Sequence, residues 1–181
     1  MSIRVGMKFP IDVEVDSLDG PVTISQLLGA GPVIVAFHRM WCPFCQQAAR
    51  DLVAVSDQLE EIGAAVVLVY REDVAQVATS CHDRGMPFHC VSDAARSLET
   101  AADVGRFSRV RYLAFSPARL FRALRSGSRI GVGSDFLQGR GTFVLDRNGR
   151  VVYAHRSVTA ADLPSIADVV TAVHAAAQVN S

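Results

Sequence analysis

Two cysteines two residues apart, Cys42-Pro43-Phe44-Cys45, are where this sequence can do chemistry. They follow an apolar run, Val33-Ile34-Val35-Ala36-Phe37, and precede a helical pattern, so they stand where a buried strand hands over to a helix. With Cys42 just before the helix, Pro43 takes its first position, where the missing N–H had no helical partner anyway. The Cys42 sulfur then lies beside free backbone N–H groups at the positive end of the helix dipole, and these stabilise a thiolate. Cys45 lies one turn further in, at a spacing that lets the two sulfurs meet. The pair reads as a thiolate with a partner to resolve it, and the helix cap favours Cys42 as first nucleophile with Cys45 resolving.

Blander readings compete with this one. The pair could be inert, or half of a zinc site completed by Cys81, His82, His89 or Cys90, although Cys81-x8-Cys90 lacks the tight spacing of a second ligand pair. Cys81, in a predicted helix, and Cys90, in a predicted strand, each read as a buried small hydrophobe, and either could act as a second resolving thiol. His38 reads as a packed strand-end residue rather than a base.

The elements that must position the pair follow the hydrophobic pattern. Residues 1–31 form a lead-in, with turn chemistry at Asp16-Ser17-Leu18-Asp19-Gly20-Pro21 between two short extended runs and a helical turn from Thr23 to Leu28. Val33 to His38 is a strand. From Pro43, the stripe Ala48, Leu52, Val55, Leu59, Ile62 predicts one helix that stops at Gly63. Ala64 to Tyr70 is a continuous apolar run of strand length and reads as a central parallel strand covered on both faces. A helix over Glu72 to Asp83, a strand over Pro87 to Val91 and a helix over Ala94 to Val104 follow. Pro117 to Arg125 looks helical inside a segment, 105–140, that reads as an insertion. There Leu113, Phe115, Leu120, Phe121 and Leu124 could supply a core helix, a pocket wall or a dimer surface. Thr142 to Leu145 and Val151 to Ala154 flank Asp146-Arg147-Asn148-Gly149, a hairpin signal. A last helix carries Leu163, Ile166, Val170, Val173 and Ala177, with Thr159 or Asp162 as its cap. This order implies an α/β fold in one domain, 1–181. Its central sheet is mixed, with parallel strands plus a C-terminal hairpin, and is flanked by helices.

Composition limits the partners. Half of the 181 residues are hydrophobic and 20% are charged, which is enough for an ordinary core. Acidic and basic residues balance at 18 each, which removes the electrostatic case for nucleic acid or an anionic membrane. No stretch approaches the ~18 apolar residues of a spanning helix. The N-terminus shows no apolar signal core, and four cysteines are too few for a disulfide scaffold, so a cytoplasmic setting is expected.

Several segments together resemble a known superfamily. Phe37 through Cys45, with Trp41 before the first cysteine, is similar to the thioredoxin active-site segment. The lead-in from Gly6 to Gly20, residues 85–93 (GMPFHCVSD), Arg140-Gly141-Thr142-Phe143-Val144-Leu145-Asp146 and the ending Val152 to Ser157 resemble peroxiredoxin-like proteins of the alkyl hydroperoxide reductase/thiol-specific antioxidant (AhpC/TSA) group. The resemblance implies a thioredoxin-like fold and a thiol-dependent antioxidant oxidoreductase that reduces hydrogen peroxide or organic hydroperoxides. Cys42, Cys45 and Arg140 would be its catalytic residues, Arg140 matching the arginine that bonds the thiolate and the peroxide. It implies no cofactor and no metal. A thiol reductant such as thioredoxin or a low-molecular-weight thiol would be its partner, and a homodimer its possible assembly. Two departures stand out. Gly141 occupies the place of the thioredoxin cis-proline. In the peroxiredoxin Pro-x-x-x-Thr-x-x-Cys motif, counted back from Cys45, His38 stands for the proline and Cys42 for the threonine. That alignment makes Cys45 the attacking thiol. Thiol–disulfide exchange on other disulfides is the alternative activity.

Overall fold

The computed structural model describes residues 3–28, 31–105, 117–125, 127, 139–159 and 161–178. Its elements in chain order are β1 (Glu14–Ser17), β2 (Gly20–Thr23), α1 (Ile24–Leu27), β3 (Val33–Phe37), α2 (Pro43–Val53), α3 (Ser56–Glu61), β4 (Ala65–Tyr70), α4 (Val74–Asp83), β5 (His89–Ser92), α5 (Ser97–Ala101), α6 (Pro117–Arg125), β6 (Gly141–Leu145), β7 (Val151–Arg156) and α7 (Ile166–Gln178). The strands form one sheet in the order β2-β1-β5-β4-β3-β6-β7. β3, β4 and β5 are mutually parallel, as their apolar runs imply, and the β6–β7 hairpin adds antiparallel strands beside β3. The β1–β2 hairpin closes the other side against β5.

Strand side chains alternate between the two faces of the sheet, so each central strand supplies two cores. Val33, Val35 and Phe37 of β3 join Val67 and Val69 of β4 and Phe143 and Leu145 of β6 on one face, under Phe9, Ile24 and Leu98. Ile34 and Ala36 join Val66, Leu68, Tyr70 and Val144 on the other, under α2, α3, α4 and α7. Each fully buried Val, Leu, Ile or Phe stabilises the fold by roughly 1.5–3 kcal/mol.

Several expectations shift in detail. The helix expected from Pro43 to Ile62 is two helices, broken at Ala54 and Val55, where the Val55 amide bonds back only three residues, to Leu52. The stripe survives the break, because Leu52 and Leu59 are both buried. The helix expected over Ala94 to Val104 contracts to Ser97–Ala101. Arg96 before it and Asp103 after it adopt positive φ, which ends the helical path on both sides. The final helix starts at Ile166, with Ser165 rather than Thr159 or Asp162 meeting its first amides. Thr23 and Gln26 form a reciprocal capping box on α1. In the 146–149 turn one Asp146 carboxylate oxygen accepts from both Asn148 and Arg150 amides. Gly149 takes φ +71, and an added Cβ would meet Ile11 at 2.9 Å. Of the expected insertion, helix α6 lies where the pattern puts it, while Leu113, Phe115 and most of the Gly/Ser-rich stretch lie outside the described residues.

Candidate active site

The end of β3, the start of α2 and the segment ahead of β6 meet at the cysteine pair. Cys42 is the N-cap residue of α2 and Pro43 its first helical position, as the sequence implies. The two sulfurs are free thiols and nearly buried, Cys42 at 5% and Cys45 at 2% exposure. Phe44, Ala161, Trp41, Leu120 of α6 and Leu163 form the apolar wall around them. That wall keeps water away and raises the weight of any charge inside it.

The charge inside it is Arg140. Its Nη1 donates to Cys42 Sγ at 3.3 Å and to Cys45 Sγ at 3.4 Å, and its Nη2 donates to the Thr159 carbonyl at 3.2 Å. The backbone aims it. Gly139 donates to the Gly105 carbonyl, and an added Cβ at 139 would stand 2.7 Å from that oxygen, so only glycine passes there. On the far side the Arg140 carbonyl accepts from the Ser157 amide. The structure thus brings together all three residues singled out from the sequence, Arg140 meeting the pair from 95 and 98 positions away.

The two thiols titrate in opposite directions. Burial pushes the Cys45 thiol up. A hydrogen bond from Cys42, the Arg140 charge, His38 and the Arg140 hydrogen bond together outweigh it and hold Cys45 well below the ordinary thiol range. Cys42 is held well above that range, first because it donates its S–H to Cys45, then by burial and by the Cys45 charge. These directions favour a thiolate on Cys45 with Cys42 as its donor, whereas the helix cap taken alone favours Cys42. The physical reason is local: Cys42 Sγ makes no capping hydrogen bond to the helix, whereas Cys45 collects the favourable contacts.

Behind the pair, a polar network holds the loop from His38 to Trp41. Arg39 is buried and its Nη2 reaches Glu99 Oε2 at 2.7 Å, while Arg71 and Arg96 approach the same carboxylate at 3.8 Å. Glu99 is set in place by Asp93, whose carboxylate accepts from the Leu98 and Glu99 amides. The Met40 amide donates to Glu72, and Gln46 of α2 donates to the Met40 carbonyl. The Cys42 amide bonds to the Arg39 carbonyl. Sequence reading missed Arg39, Glu72, Glu99 and Gln46. Only the proximity of Arg39 and Gln46 to the cysteines signalled them, and nothing marked Glu72 or Glu99.

Cys81 of α4 and Cys90 of β5, expected as separate buried side chains, are bonded to each other as a disulfide. The α4–β5 connection doubles back, with the Met86 amide on the Cys81 carbonyl, and this brings the two together. Their bridge lines a cavity of about 550 Å³ beside the β1–β2 hairpin. Among the described residues no three His, Cys, Asp or Glu side chains cluster as metal ligands would.

With this geometry in view, comparison with known proteins gives a consistent result. The model of the AhpC/TSA family matches residues 5–154. No curated protein sequence matches the chain. Among solved structures it is similar to Xanthomonas campestris peroxiredoxin Q, at 22% identity and TM-score 0.68 over 96% of this chain and 99% of that one. It is similar to peroxidoxin BcpB from Mycobacterium tuberculosis at 21% identity and TM-score 0.69, over 96% and 97%. A proposed thiol:disulfide interchange protein DsbE from Chlorobium tepidum aligns at 19% identity and TM-score 0.62, over 97% and 99%. At these identities the structural likeness carries the thioredoxin-like fold.

Proposed function

The chain belongs to the AhpC/TSA family, and from that premise we propose that it is a thiol-dependent peroxidase in which Cys45 attacks, Cys42 resolves and Arg140 serves both. The observation that carries this reading is the single Arg140 nitrogen shared between two buried sulfurs. A cation there stabilises the thiolate and offers further donors to a peroxide oxygen.

In the first step the Cys45 thiolate attacks the terminal oxygen of the peroxide. An S–O bond forms, the O–O bond breaks, and the sulfur becomes a sulfenic acid while the other oxygen leaves as an alcohol or water. In the second, the Cys42 sulfur displaces that hydroxyl as water, giving the Cys42–Cys45 disulfide. Two equivalents of an external thiol, or one dithiol such as thioredoxin, then reduce the disulfide and return both thiols. The substrates that suit the site are hydrogen peroxide and organic hydroperoxides. Stopped-flow mixing of reduced protein with each peroxide tests the reading, and a rate constant no greater than that of free cysteine would remove it.

The likeness to the interchange protein supports a second reading, exchange with other disulfides. Insulin reduction separates the two: activity equal to that of the double Cys42→Ser, Cys45→Ser variant eliminates exchange. No described helix is long and apolar enough to cross a membrane, and a site that must be reset by thiols suits the reducing cytoplasm. We read residues 1–181 as one domain in which α6 belongs to an insertion at about 105–140 that roofs the sulfurs through Leu120. Phe121 on the same helix is 65% exposed, which suits a homodimer contact that sedimentation measures directly.

A further inference from the structure

Asp162 is a charged group beside the site that these steps leave unused. The sequence suggests it as a cap for the last helix, but that helix starts at Ile166, and Asp162 serves the turn after β7 instead. Its Oδ2 accepts from the Val158 amide at 2.8 Å, and its Oδ1 stands 3.4 Å from Nε2 of His155 on β7. Its amide donates to the Thr159 carbonyl at 3.2 Å, and its carbonyl accepts from Ser157 Oγ at 2.7 Å. Side chain and backbone of this one residue together close the turn that begins at Ser157.

That turn is what grips Arg140. The Ser157 amide donates to the Arg140 carbonyl at 3.0 Å, and the Thr159 carbonyl accepts from Arg140 Nη2 at 3.2 Å. A guanidinium is planar and rigid, so anchoring Nη2 fixes where Nη1 points. Nη1 points at Cys42 and Cys45. Ala161 of the same turn is 3% exposed and packs in the wall around the sulfurs, with Leu163 against it.

We infer that Asp162 is a positioning residue for the cysteine centre: by fastening the turn that carries the Thr159 carbonyl, it holds the Arg140 fork where one nitrogen serves both sulfurs. This deepens the peroxidase reading and rests on its assignment of Arg140 to the Cys45 thiolate. Asp162 acts through the arginine and not on the sulfurs.

The sign of the effect separates positioning from a plain charge effect. Burial opposes the Arg140 charge, while the Cys45 and Cys42 sulfurs and, after them, Asp162 favour it, and the balance leaves its pKa raised. By its own field, a carboxylate near the centre opposes a second negative charge on Cys45. Removing that charge alone would lower the Cys45 midpoint. Loosening Arg140 would raise it, because the thiolate loses the cation beside it.

The readout is the pH profile of iodoacetamide alkylation in reduced protein, read at Cys45 by mass spectrometry. Asp162→Ala removes the acceptor of the Val158 amide. It should slow alkylation about 3–10-fold below both midpoints, a rise of about half to one pKa unit. Asp162→Asn keeps an amide oxygen for Val158 and should stay within about twofold of wild type. In Arg140→Met protein, adding Asp162→Ala should change the rate by no more than about twofold, since the group it positions is gone. If the alanine variant melts below the assay temperature, Ser157→Ala carries the test with the same expected direction, because it removes the hydroxyl tie to the Asp162 carbonyl. An alanine midpoint that stays or falls overturns the inference. So does an asparagine variant slowed as far as alanine, or an undiminished effect in Arg140→Met protein. If Arg140→Met itself leaves the Cys45 midpoint in place, the assignment of Arg140 fails and the inference goes with it. Peroxide consumption does not enter the readout, so a protein inert toward peroxides ends the peroxidase reading and leaves the positioning result standing.

Discussion

Replacing Arg140 with methionine keeps much of its volume and removes its charge, so it isolates the guanidinium's effect on the Cys45 thiolate. Arg140 Nη1 stands 3.4 Å from Cys45 Sγ. At that separation and an effective dielectric of ~20, unit charges attract by roughly 5 kcal/mol. Part of that attraction is offset because burial opposes the arginine charge as well. A hydrogen bond to a charged group contributes about 1.5–3 kcal/mol net. At ~1.36 kcal/mol per pKa unit, Arg140→Met should raise the Cys45 midpoint by about one to two units. The assay is the pH profile of iodoacetamide alkylation, read at Cys45 by mass spectrometry of reduced protein. Below both midpoints the alkylation rate should fall by about 10–100-fold, in proportion to the lost thiolate. Arg140→Lys should fall between, since a point charge replaces the fork that reaches Cys42, Cys45 and Thr159. A midpoint unmoved by the methionine variant, in protein that melts as wild type does, would refute the claim that Arg140 sets the thiolate.

Three further outcomes follow from the same structure. Glu99→Gln strands the buried Arg39 charge and should cost about 3–5 kcal/mol in urea unfolding, far above an exposed ion pair. Phe143→Ala empties a fully buried site shared with Phe9 and Phe37 and under the Arg156 guanidinium, and should cost about 3–5 kcal/mol in the same measurement. The third concerns pH. Cys45 is held below its ordinary value of 9.0, so the unfolded chain binds more protons there between the folded midpoint and pH 9. The stability advantage of reduced wild type over Cys45→Ser should therefore be greatest near pH 9 and fade as pH falls through the folded Cys45 midpoint, in calorimetric scans under reductant. Cys42, held above its ordinary value, acts oppositely and lowers stability as pH rises past 9.

What could be read from the sequence was whatever composition and spacing encode locally. The valine-rich runs of β3 and β4 declare strands covered on both faces, and the Asn148-Gly149 turn declares the hairpin. Cys42, Pro43 and Cys45 declare a redox pair at a helix start, and the Arg140-Gly141-Thr142-Phe143 stretch places the arginine by resemblance. Position in space is encoded less directly. Glu99 meets Arg39 from 60 residues away, and neither neighbourhood carries a sign of the other. Cys81 and Cys90 are joined by the reversal at Gly85 and Met86, which is a property of how α4 returns to the sheet. The break at Val55 leaves the apolar stripe intact, so periodicity alone runs through it. The order of the two thiols was open because the helix cap is a local argument favouring Cys42. The influences that lower the Cys45 thiol come from Cys42 and His38 in its own segment and from Arg140, 95 residues away, and only the first two are near it in sequence.

The claim that Cys45 is the attacking thiolate is tested most directly by trapping sulfenic acid with dimedone after one equivalent of hydrogen peroxide. The trapping is done in Cys42→Ser and in Cys45→Ser protein, with the adduct located by mass spectrometry. The expected result is an adduct on Cys45 in the first variant and none in the second. An adduct on Cys42 in the second variant, with Cys45 unmodified in the first, would contradict it.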